Sequence, residues 1–541
     1  MRRWLFWLVC LLGTACAHSE PSPPPGPGRI RPLLQVLFDD RFQRSPRELS
    51  PPTQRFPDYQ AELQRPIEWP RPQKRPALAI THVTVIDVTG GPPRPDMTVL
   101  VEGNQITDIT PSQGAPSLAG VMVVDGRGKF LIPGLWDMHV HTTYSFFWQP
   151  GEKELPSVED TLALFVASGV TGVRDMGGWG TYTVDLKRRA NAGLILSPTM
   201  VVGAMVDGPN GVAGKHIRLV SGPKQARRMV RKIKEEGFDF VKVYSFVPRN
   251  IYRAIVDECR RNDIPWVGHV PLDMPFAEVA KEGQRSIEHM GDVFTLAIAC
   301  SRREGAVRTL LSSPLKDGET VYDALIEIAD LAMETYDEKR CAALYEQLAR
   351  SHTRLVPTLS AFAIPTTQER QIAERRFLPY YIERYWSWGR FDSTTLPKPY
   401  MEMLKRNWQY YTARLKEMVN AGVPVMTGTD TPLYPLYPGL SLHYELEHLV
   451  AVGLTPLQAL QAATMEPARF LGKEGIQGTL EKNKVADMVL LRGNPLEDIR
   501  NTLEIEAVVL QGHLFTRIQL DQIHEGVARR AEAELKNARR R

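Results

Sequence analysis

Residues 133–141 read PGLWDMHVH, an apolar stretch in which two histidines stand one residue apart. Side chains on a β-strand alternate between its two faces, so His139 and His141 would project from the same face with their imidazoles close together. Two neutral imidazoles on one rigid strand are suited to bind a metal ion. The competing interpretation is that two core or surface histidines alternate without sharing a ligand. We predict a strand here that begins a metal site.

On the C-terminal side of this stretch, apolar strand-like runs alternate with helical stretches. Such alternation is typical of β-α units and a parallel sheet, and eight strands are the number that closes a barrel. The eight runs are Leu131–His141, Val170–Asp175, Thr199–Met205, Phe238–Tyr244, Ile264–His269, Ser286–His289, Leu355–Leu359 and Val423–Asp430. The sequence therefore predicts an α/β fold whose centre, residues 131–474, is a (β/α)8 TIM-like barrel.

Two long helix-rich segments interrupt this repeat before the seventh and the eighth strand. They are residues 292–352 and 361–420, and they contain helical patterns at Tyr322–Tyr336 and Tyr400–Val419. Segments inserted after barrel strands extend from the face where such enzymes assemble their sites. We predict that these insertions form a lid over the mouth of the barrel.

Both flanks of the barrel have β-strand character. Short β-branched runs separated by turn residues occupy residues 77–130 and 475–518, which predicts one small β-sandwich domain built from both ends of the barrel. Within the barrel region, Thr455 with proline next and Gln458 three residues on is a typical helix start. Residues 519–541 are rich in charge and predict a surface helix.

The first residues are typical of an export signal. Arg2 and Arg3 precede a short apolar run that ends at Ala17, which predicts a signal peptide over residues 1–17 and an exported protein, whether periplasmic, outer-membrane or secreted. Cleavage before Cys16 would instead create a lipoprotein anchored to the membrane, although Gly13 stands where such signals usually have leucine. Ordinary export and an uncleaved anchor are the alternatives. Residues 18–76 predict a proline-rich tether and an irregular extension.

Charge and cysteine usage exclude other classes of protein. The 66 basic and 62 acidic residues are too evenly balanced to favour nucleic acid as a partner. Five cysteines without a CxxC pair do not predict a disulfide framework or a cysteine-built zinc site. We predict that Cys259, Cys300 and Cys341 are buried small hydrophobic residues.

Four further polar residues each stand at the end of a different predicted barrel strand, where barrel enzymes assemble their sites. They are Lys242, His269, His289 and Asp430. A charged lysine among the apolar residues of a central strand would be costly to bury. Carbamylation by CO2 followed by metal ligation would explain Lys242. The alternative is a lysine that extends its amine to the barrel rim.

These residues and the histidine pair closely resemble the ligand set of the amidohydrolase superfamily, in its imidazolonepropionase-like and Xaa-Pro dipeptidase-like branch, over residues 77–516. The resemblance implies two divalent ions, zinc being the expected metal. The implied ligands are His139 and His141 for the more buried ion, His269 and His289 for the second ion, Lys242 as a carboxylated bridge and Asp430 from the eighth strand. Imidazolonepropionases lack that lysine, so the peptidase-like side is favoured.

The resemblance also implies roles in catalysis. Asp430 would take a proton from the attacking water and pass it to the leaving amine. Tyr244, two residues beyond Lys242, would donate a hydrogen bond to the developing oxyanion, or else is an aromatic residue of the barrel mouth. Deaminases of the superfamily tend to have glutamate three residues after the fifth-strand histidine, and Leu272 at that position argues against deamination.

Weaker candidates complete the sequence-based set. His216 and His443 could touch substrate, although a solvated loop position for His216 and a structural role for His443 are the competing interpretations. We predict that Arg174 forms a structural ion pair with Asp175. Glu288, beside His289 in the sixth strand, is predicted to point to the opposite side of the strand and to be structural.

The leading hypothesis is a hydrolase that cuts an amide bond of dipeptides or N-acyl amino acids. A second hypothesis is hydrolysis of another carbonyl bond, such as a lactone, carbamate or cyclic imide, on the same site. A third is an envelope binding protein that has lost activity, which the complete ligand set disfavours. The substrate is in each case a small molecule, and the sequence predicts neither its identity nor the oligomeric state.

Overall fold

The computed structural model describes residues 77–143, 158–211, 217–291, 294–363, 378–382, 397–433 and 435–540. The predicted signal peptide, the tether over residues 18–76 and the candidate His216 lie outside these residues. Within the described part of the chain, no helix combines the length and the apolar character that a membrane span requires.

The chain begins with five strands of a flanking sheet. These are β1 (Leu78–Val85), β2 (Arg94–Glu102), β3 (Gln105–Pro111), β4 (Met122–Asp125) and β5 (Phe130–Pro133). β1 pairs antiparallel with β2 and parallel with β4 and β5. The first predicted barrel run therefore divides at Gly134, because its beginning, β5, belongs to this sheet and its end forms the first barrel strand.

A parallel sheet follows and forms the centre of the molecule. Its strands are β6 (Leu135–Val140), β7 (Val170–Asp175), β8 (Thr199–Asp207), β9 (Ile217–Leu219), β10 (Phe240–Val243), β11 (Trp266–Gly268), β12 (Ser286–Glu288) and β13 (Arg354–Val356). The hydrogen-bonded order is β6-β7-β8-β10-β11-β12-β13, with β9 beside β8. Parallel bridges from Leu355 to Val425 and from Val140 to Thr431 close the circle. The predicted barrel is confirmed: seven strands form its sheet, and isolated bridges join the predicted eighth run, Val423–Asp430 with Thr431 directly after it, to its two edges.

The last three strands return to the flanking sheet. They are β14 (Met488–Leu491), β15 (Ile505–Leu510) and β16 (His513–Thr516). β14 pairs antiparallel with β5, so that strands from both ends of the barrel join one continuous sheet in the order β16-β15-β14-β5-β1-β2-β3. Buried residues of both flanks, among them Ile80, Val99 and Met488, pack into one hydrophobic cluster. The predicted contribution of both flanks to one β-structure is confirmed, and its strands form a single sheet.

Helices cover the barrel and form the insertions. In chain order they are α1 (Glu159–Ala167), α2 (Gly180–Asn191), α3 (Pro223–Glu235), α4 (Arg249–Arg261), α5 (Phe276–Glu282), α6 (Thr295–Cys300), α7 (Glu304–Ser312), α8 (Val321–Glu334), α9 (Glu338–Ser351), α10 (Leu359–Phe362), α11 (Lys398–Asn420), α12 (Leu440–Val452), α13 (Pro456–Ala463), α14 (Met465–Phe470) and α15 (Arg517–Arg540). The two helices predicted in the insertions match α8 and α11. At α13, Thr455 and Gln458 form the predicted reciprocal cap.

The insertion helices have a hydrophobic core of their own. Buried residues from α6, α7, α8 and α11, among them Ile298, Leu311, Ile328 and Met403, form a cluster separate from the main barrel core. A disulfide between Cys300 and Cys341 joins the end of α6 to the first turn of α9. The prediction that these two cysteines are only small hydrophobic residues is wrong. The packing of α6 and α9 brings the Cα atoms of the two cysteines, 41 residues apart in the sequence, to within 4.9 Å of each other. Cys259 is a buried free thiol, as predicted.

Candidate metal centre

Four imidazoles meet at the C-terminal end of the barrel strands. His139 and His141 project from the end of β6, His269 follows β11, and His289 follows β12. All four are at most 6% exposed. The ring centroid of His139 lies 5.4 Å from that of His141 and 4.6 Å from that of His289, and the rings of His269 and His289 are 5.0 Å apart. The predicted histidines therefore form one cluster.

Lys242 and Asp430 complete this cluster. The Nζ atom of Lys242, from β10, is 3.4 Å from Nε2 of His139. Asp430 Oδ1 lies 3.3 Å from Nε2 of His139 and 3.2 Å from Nε2 of His141, and Oδ2 lies 4.0 Å from Nε2 of His289. Ligand atoms of His139, His289 and Asp430 all lie within 4.8 Å of one another. The structure thus brings together all six residues singled out from the sequence.

Two glycines allow the strands to approach closely at this point. At Gly268 the backbone has a φ of +123°, and a Cβ atom would lie 2.2 Å from the carbonyl oxygen of Val243. At Gly428 a Cβ atom would lie 2.8 Å from Cβ of His139. A larger residue at either position would push the neighbouring strand away. These glycines therefore set the spacing that places His269 and Asp430 in the cluster.

Each of the four imidazoles is oriented by a hydrogen bond at Nδ1. The partners are Glu288 Oε2 for His139 at 2.8 Å, the carbonyl oxygen of Gly177 for His141 at 2.9 Å, Ser245 Oγ for His269 at 2.7 Å, and Thr358 Oγ1 for His289 at 2.7 Å. With Nδ1 engaged, each ring offers Nε2 as its ligand atom. Outer hydrogen bonds of this type are typical of metal-binding histidines.

The charge states of the cluster also suit a metal. Burial, with the nearby charge of Lys242, holds the pKa of His139 well below its usual value, so this imidazole is neutral. Burial alone would raise the pKa of Asp430, but the hydrogen bond from His141 and the charges of His289 and Lys242 lower it to about 2. Burial lowers the pKa of Lys242 to about 8. A neutral imidazole, as at His139, and an ionised carboxylate, as at Asp430, are ligand forms that zinc binds.

The backbone is strained at three positions around the cluster. His289, Thr358 and Asp430 have φ values of +54°, +49° and +64°, in the left-handed region that residues other than glycine rarely adopt. Conformations of this type cost energy and are concentrated at functional sites. The positive φ of His289 also has a local effect: it ends the alternation of side chains between the two faces of β12 directly after Glu288.

Glu288 and Arg174 are not placed as predicted. Because His289 leaves the strand alternation, both Glu288 and His289 reach the interior of the barrel. Glu288 is fully buried, and both of its carboxylate oxygens lie 2.9 Å from Nη2 of Arg174. Arg174 thus pairs with Glu288 and not with Asp175, and Glu288 supports His139 instead of facing away from the site.

Two further carboxylates, for which no role at the site was predicted from the sequence, support the cluster. Asp175 accepts hydrogen bonds from the amides of Thr142 at 2.8 Å and Gly177 at 2.9 Å, and so holds the loop whose carbonyl orients His141. Asp137 accepts from Thr429 Oγ1 at 2.7 Å and from the amide of His139 at 3.2 Å. Asp137 has the same strand parity as the two histidines of β6, and this signal could have identified it.

The remaining candidates have different outcomes. Tyr244 is 4% exposed, and its ring centroid is 4.4 Å from that of His269, so it lies beside the cluster. His443 is buried away from the cluster: its ring nitrogens lie 3.0 Å from Thr502 Oγ1 and 3.0 Å from the carbonyl oxygen of Ser168. Since Ser168 precedes the start of β7, His443 lies at the N-terminal end of the barrel, and the prediction that it could touch substrate is wrong.

Comparisons with known proteins agree with this fold. The family model described as "Amidohydrolase family" matches residues 130–303 and 409–515. An ochratoxinase from Aspergillus niger is 38% identical over 92 residues, which cover 17% of this chain and 18% of that relative. A Xaa-Pro dipeptidase crystallised with methionine in its active site is similar in structure, with a TM-score of 0.59 and 20% identity over 81% of this chain and 100% of that chain. A structure described as a putative prolidase from Bifidobacterium longum gives a TM-score of 0.60 and 24% identity over 84% and 99%.

Proposed function

Because this chain belongs to the amidohydrolase family, we propose that it is a metal-dependent hydrolase that cleaves an amide C–N bond of dipeptides or N-acyl amino acids. The observation that carries the proposal is the convergence of four imidazoles, Lys242 and Asp430 at the C-terminal end of one barrel. The names of the similar proteins, a Xaa-Pro dipeptidase and a putative prolidase, support a dipeptide-like substrate.

The donor set fits a pair of divalent cations, and we propose zinc. His139, His141 and Asp430 would hold one ion, and His269 and His289 the other. Burial lowers the pKa of Lys242 to about 8, so part of the population has a neutral amine near neutral pH. That amine would attack CO2 and lose one proton, which gives an N-carboxylate whose oxygen atoms could serve as metal ligands.

Each residue near the reacting bond would have one task. When bound, the metal pair supplies a water of lowered pKa and polarises the scissile carbonyl. Asp430, whose pKa is about 2, is ionised at neutral pH and would take a proton from the attacking water, then deliver it to the leaving nitrogen. The hydroxyl of Tyr244 would donate a hydrogen bond to the carbonyl oxygen as that oxygen gains negative charge.

Metal analysis combined with a substrate panel tests the proposal. The purified full chain is expected to contain about two divalent ions and to hydrolyse dipeptides or N-acyl amino acids. Hydrolysis confined to lactones, carbamates or cyclic imides would favour the second hypothesis. A chain that holds less than about one ion, and that stays inactive after zinc is added, would favour the binding protein.

We further propose that the protein is exported. The supporting observation is the Cys300–Cys341 disulfide, a bond that persists in oxidising compartments. Cell fractionation of the full chain is expected to place it outside the cytoplasm, and Cys16→Ser would release it from the membrane fraction if Cys16 carries a lipid. A reduced, cytoplasmic wild-type protein would contradict export.

A further inference from the structure

An ion pair occupies the interior of the barrel beneath the metal centre. Arg174 and Glu288 are both fully buried, with Nη2 of Arg174 at 2.9 Å from each carboxylate oxygen. Barrel interiors are usually filled by layers of branched apolar side chains. A buried ion pair costs desolvation and is weak evidence for a contribution to stability. A role other than packing would account for its presence.

Contacts of Glu288 point towards the metal centre. Its Oε2 atom accepts the hydrogen bond from Nδ1 of His139 at 2.8 Å. A carboxylate can only accept here, so it fixes the proton of His139 on Nδ1 and the lone pair on Nε2. That Nε2 atom is the one that lies 3.3 Å from Asp430 and 3.4 Å from Lys242.

At Nδ1, His139 is hydrogen-bonded to a carboxylate. His141 is bonded to a backbone carbonyl, and His269 and His289 are bonded to the hydroxyls of Ser245 and Thr358. A hydroxyl can donate or accept, so it does not fix which ring nitrogen has the proton. The strongest orienting contact is therefore made to the imidazole at the centre of the cluster.

Arg174 in turn holds Glu288 in place. Its Nε atom donates to the carbonyl oxygen of Met138 at 2.6 Å, and Nη1 donates to Ser286 Oγ at 2.9 Å. Its guanidinium carbon lies 5.7 Å from the ring centroid of Phe240 and 5.0 Å from that of Phe470. The planar guanidinium thus bridges β6, β7 and β12, and leaves the carboxylate of Glu288 in one orientation.

From these contacts we infer that Arg174 and Glu288 are positioning residues for the metal centre. They fix the tautomer and the ring plane of His139, and so raise the affinity of the centre for its metal. The inference rests on the proposed function, because it requires that Nε2 of His139 binds a metal ion.

Two variants and one control test the inference in the full-length chain. Glu288→Gln keeps the shape of the side chain but removes the charge. The double variant Arg174→Met/Glu288→Leu replaces the ion pair by apolar side chains, an exchange that proteins often tolerate or benefit from. The control is Glu258→Gln, which removes a largely buried carboxylate paired with Arg231 at 2.7 Å on the outer helix α4.

The measurements are the affinity of the metal-stripped protein for Zn²⁺, by competition with a chromophoric chelator, and its melting temperature in the absence of metal. We expect about 10-fold to 100-fold weaker zinc binding for both site variants. The double variant should melt at or above the temperature of metal-free wild type, and the control should bind zinc like wild type. A separate readout is the absorption spectrum of the Co²⁺-loaded protein, which should change in Glu288→Gln.

The outcomes separate the inference from the proposed function. Zinc affinity equal to that of wild type in Glu288→Gln would overturn the inference and leave the proposed function intact. If the double variant fails to fold, Glu288→Gln alone decides. A wild-type chain that binds no zinc would overturn the proposed function, and the inference with it.

Discussion

Among single residues, Lys242 most needs an explanation, because it places an amine in the buried interior of the barrel. It is 1% exposed, and its amine lies 3.4 Å from Nε2 of His139 and 5.4 Å from the ring centroid of Tyr244. If the amine ligates metal as a carbamate, Lys242→Met should remove the ligand but cost the metal-free fold little. We expect the metal content to fall from about two ions to one or fewer, and activity to fall about 100-fold or more.

Elemental analysis and the initial rate of hydrolysis measure these effects, and ¹³C-bicarbonate NMR checks the carbamate directly. The control is Lys232→Met, because Lys232 has 65% of its side chain exposed on α3. Full metal content and activity in Lys242→Met would contradict the role of this lysine.

A second prediction distinguishes the role of His289 in the metal centre from the structural role of His443. His289→Ala should lose metal, because His289 lies in the cluster. His443→Ala should keep its metal but lower the free energy of unfolding by about 2–3 kcal/mol, since it leaves the carbonyl of Ser168 and the hydroxyl of Thr502 without this partner. Denaturant unfolding and elemental analysis of both variants check this. If His443→Ala lost its metal, His443 would again be a candidate residue of the metal centre.

The ligands could be predicted from the sequence because each one ends an apolar strand, a position that local pattern reveals. Glu288 could not, because strand alternation places it opposite an inward-facing His289, and only the positive φ of His289, which no residue pattern indicates, lets both side chains reach the interior. The pairing of Arg174 with Glu288 could not be predicted either, because it depends on the tertiary structure. The ion pair joins residues 114 positions apart, and only barrel closure brings them together.

At the scale of elements, α10 depends on one buried carboxylate. Glu445 accepts hydrogen bonds from the amides of Leu359 at 2.9 Å and Ser360 at 2.7 Å, directly after the residue that bonds His289. Burial nevertheless raises the pKa of Glu445 to about 7. The segment that orients a proposed second-ion ligand is therefore linked to a titratable group outside the metal cluster.

This shift predicts how stability changes with pH. The pKa of Glu445 in the folded state lies above the unfolded value of about 4.3, so the folded state holds a proton that the unfolded state releases. Its contribution is therefore present at low pH and is lost as pH rises towards 7. Relative to Glu445→Gln, which cannot ionise, the metal-free wild type should lose on the order of 3 kcal/mol between about pH 4.5 and pH 7.

Thermal or denaturant unfolding of both proteins across this range measures the difference. A difference between wild type and Glu445→Gln that stays constant with pH would show that the hydrogen-bond donors to Glu445 offset its burial, so that its pKa is not raised. A difference that changes in the opposite direction would show that these donors outweigh its burial.

The disulfide belongs to the same scale, because it joins α6 to α9 within the first insertion. It closes a loop of 41 residues, so its removal should lower the free energy of unfolding by about 2–4 kcal/mol. Cys300→Ser/Cys341→Ser and reductant-treated wild type should behave alike and keep their metal. Cys259→Ala should respond to reductant as wild type does. An unchanged unfolding curve after verified reduction would contradict a stabilising role.

For the whole molecule, the order of the barrel strands was predictable, as was the return of the chain to the flanking sheet. Both follow from repeated local patterns that a barrel requires. The division at Gly134 was not predictable, because β5 and β6 form one apolar run in the sequence and belong to different sheets only through their partners. The disulfide was not predictable for the same reason, since helix packing sets the distance between its cysteines.

The central claim is that six side chains of one barrel hold two divalent cations. Anomalous X-ray diffraction at the zinc absorption edge, on crystals of the zinc-loaded full chain, tests it most directly. We expect two peaks, with Nε2 atoms of His139 and His141 about 2.1 Å from one and those of His269 and His289 about 2.1 Å from the other. A map with no peak among these residues, or with its peaks elsewhere, would contradict the account.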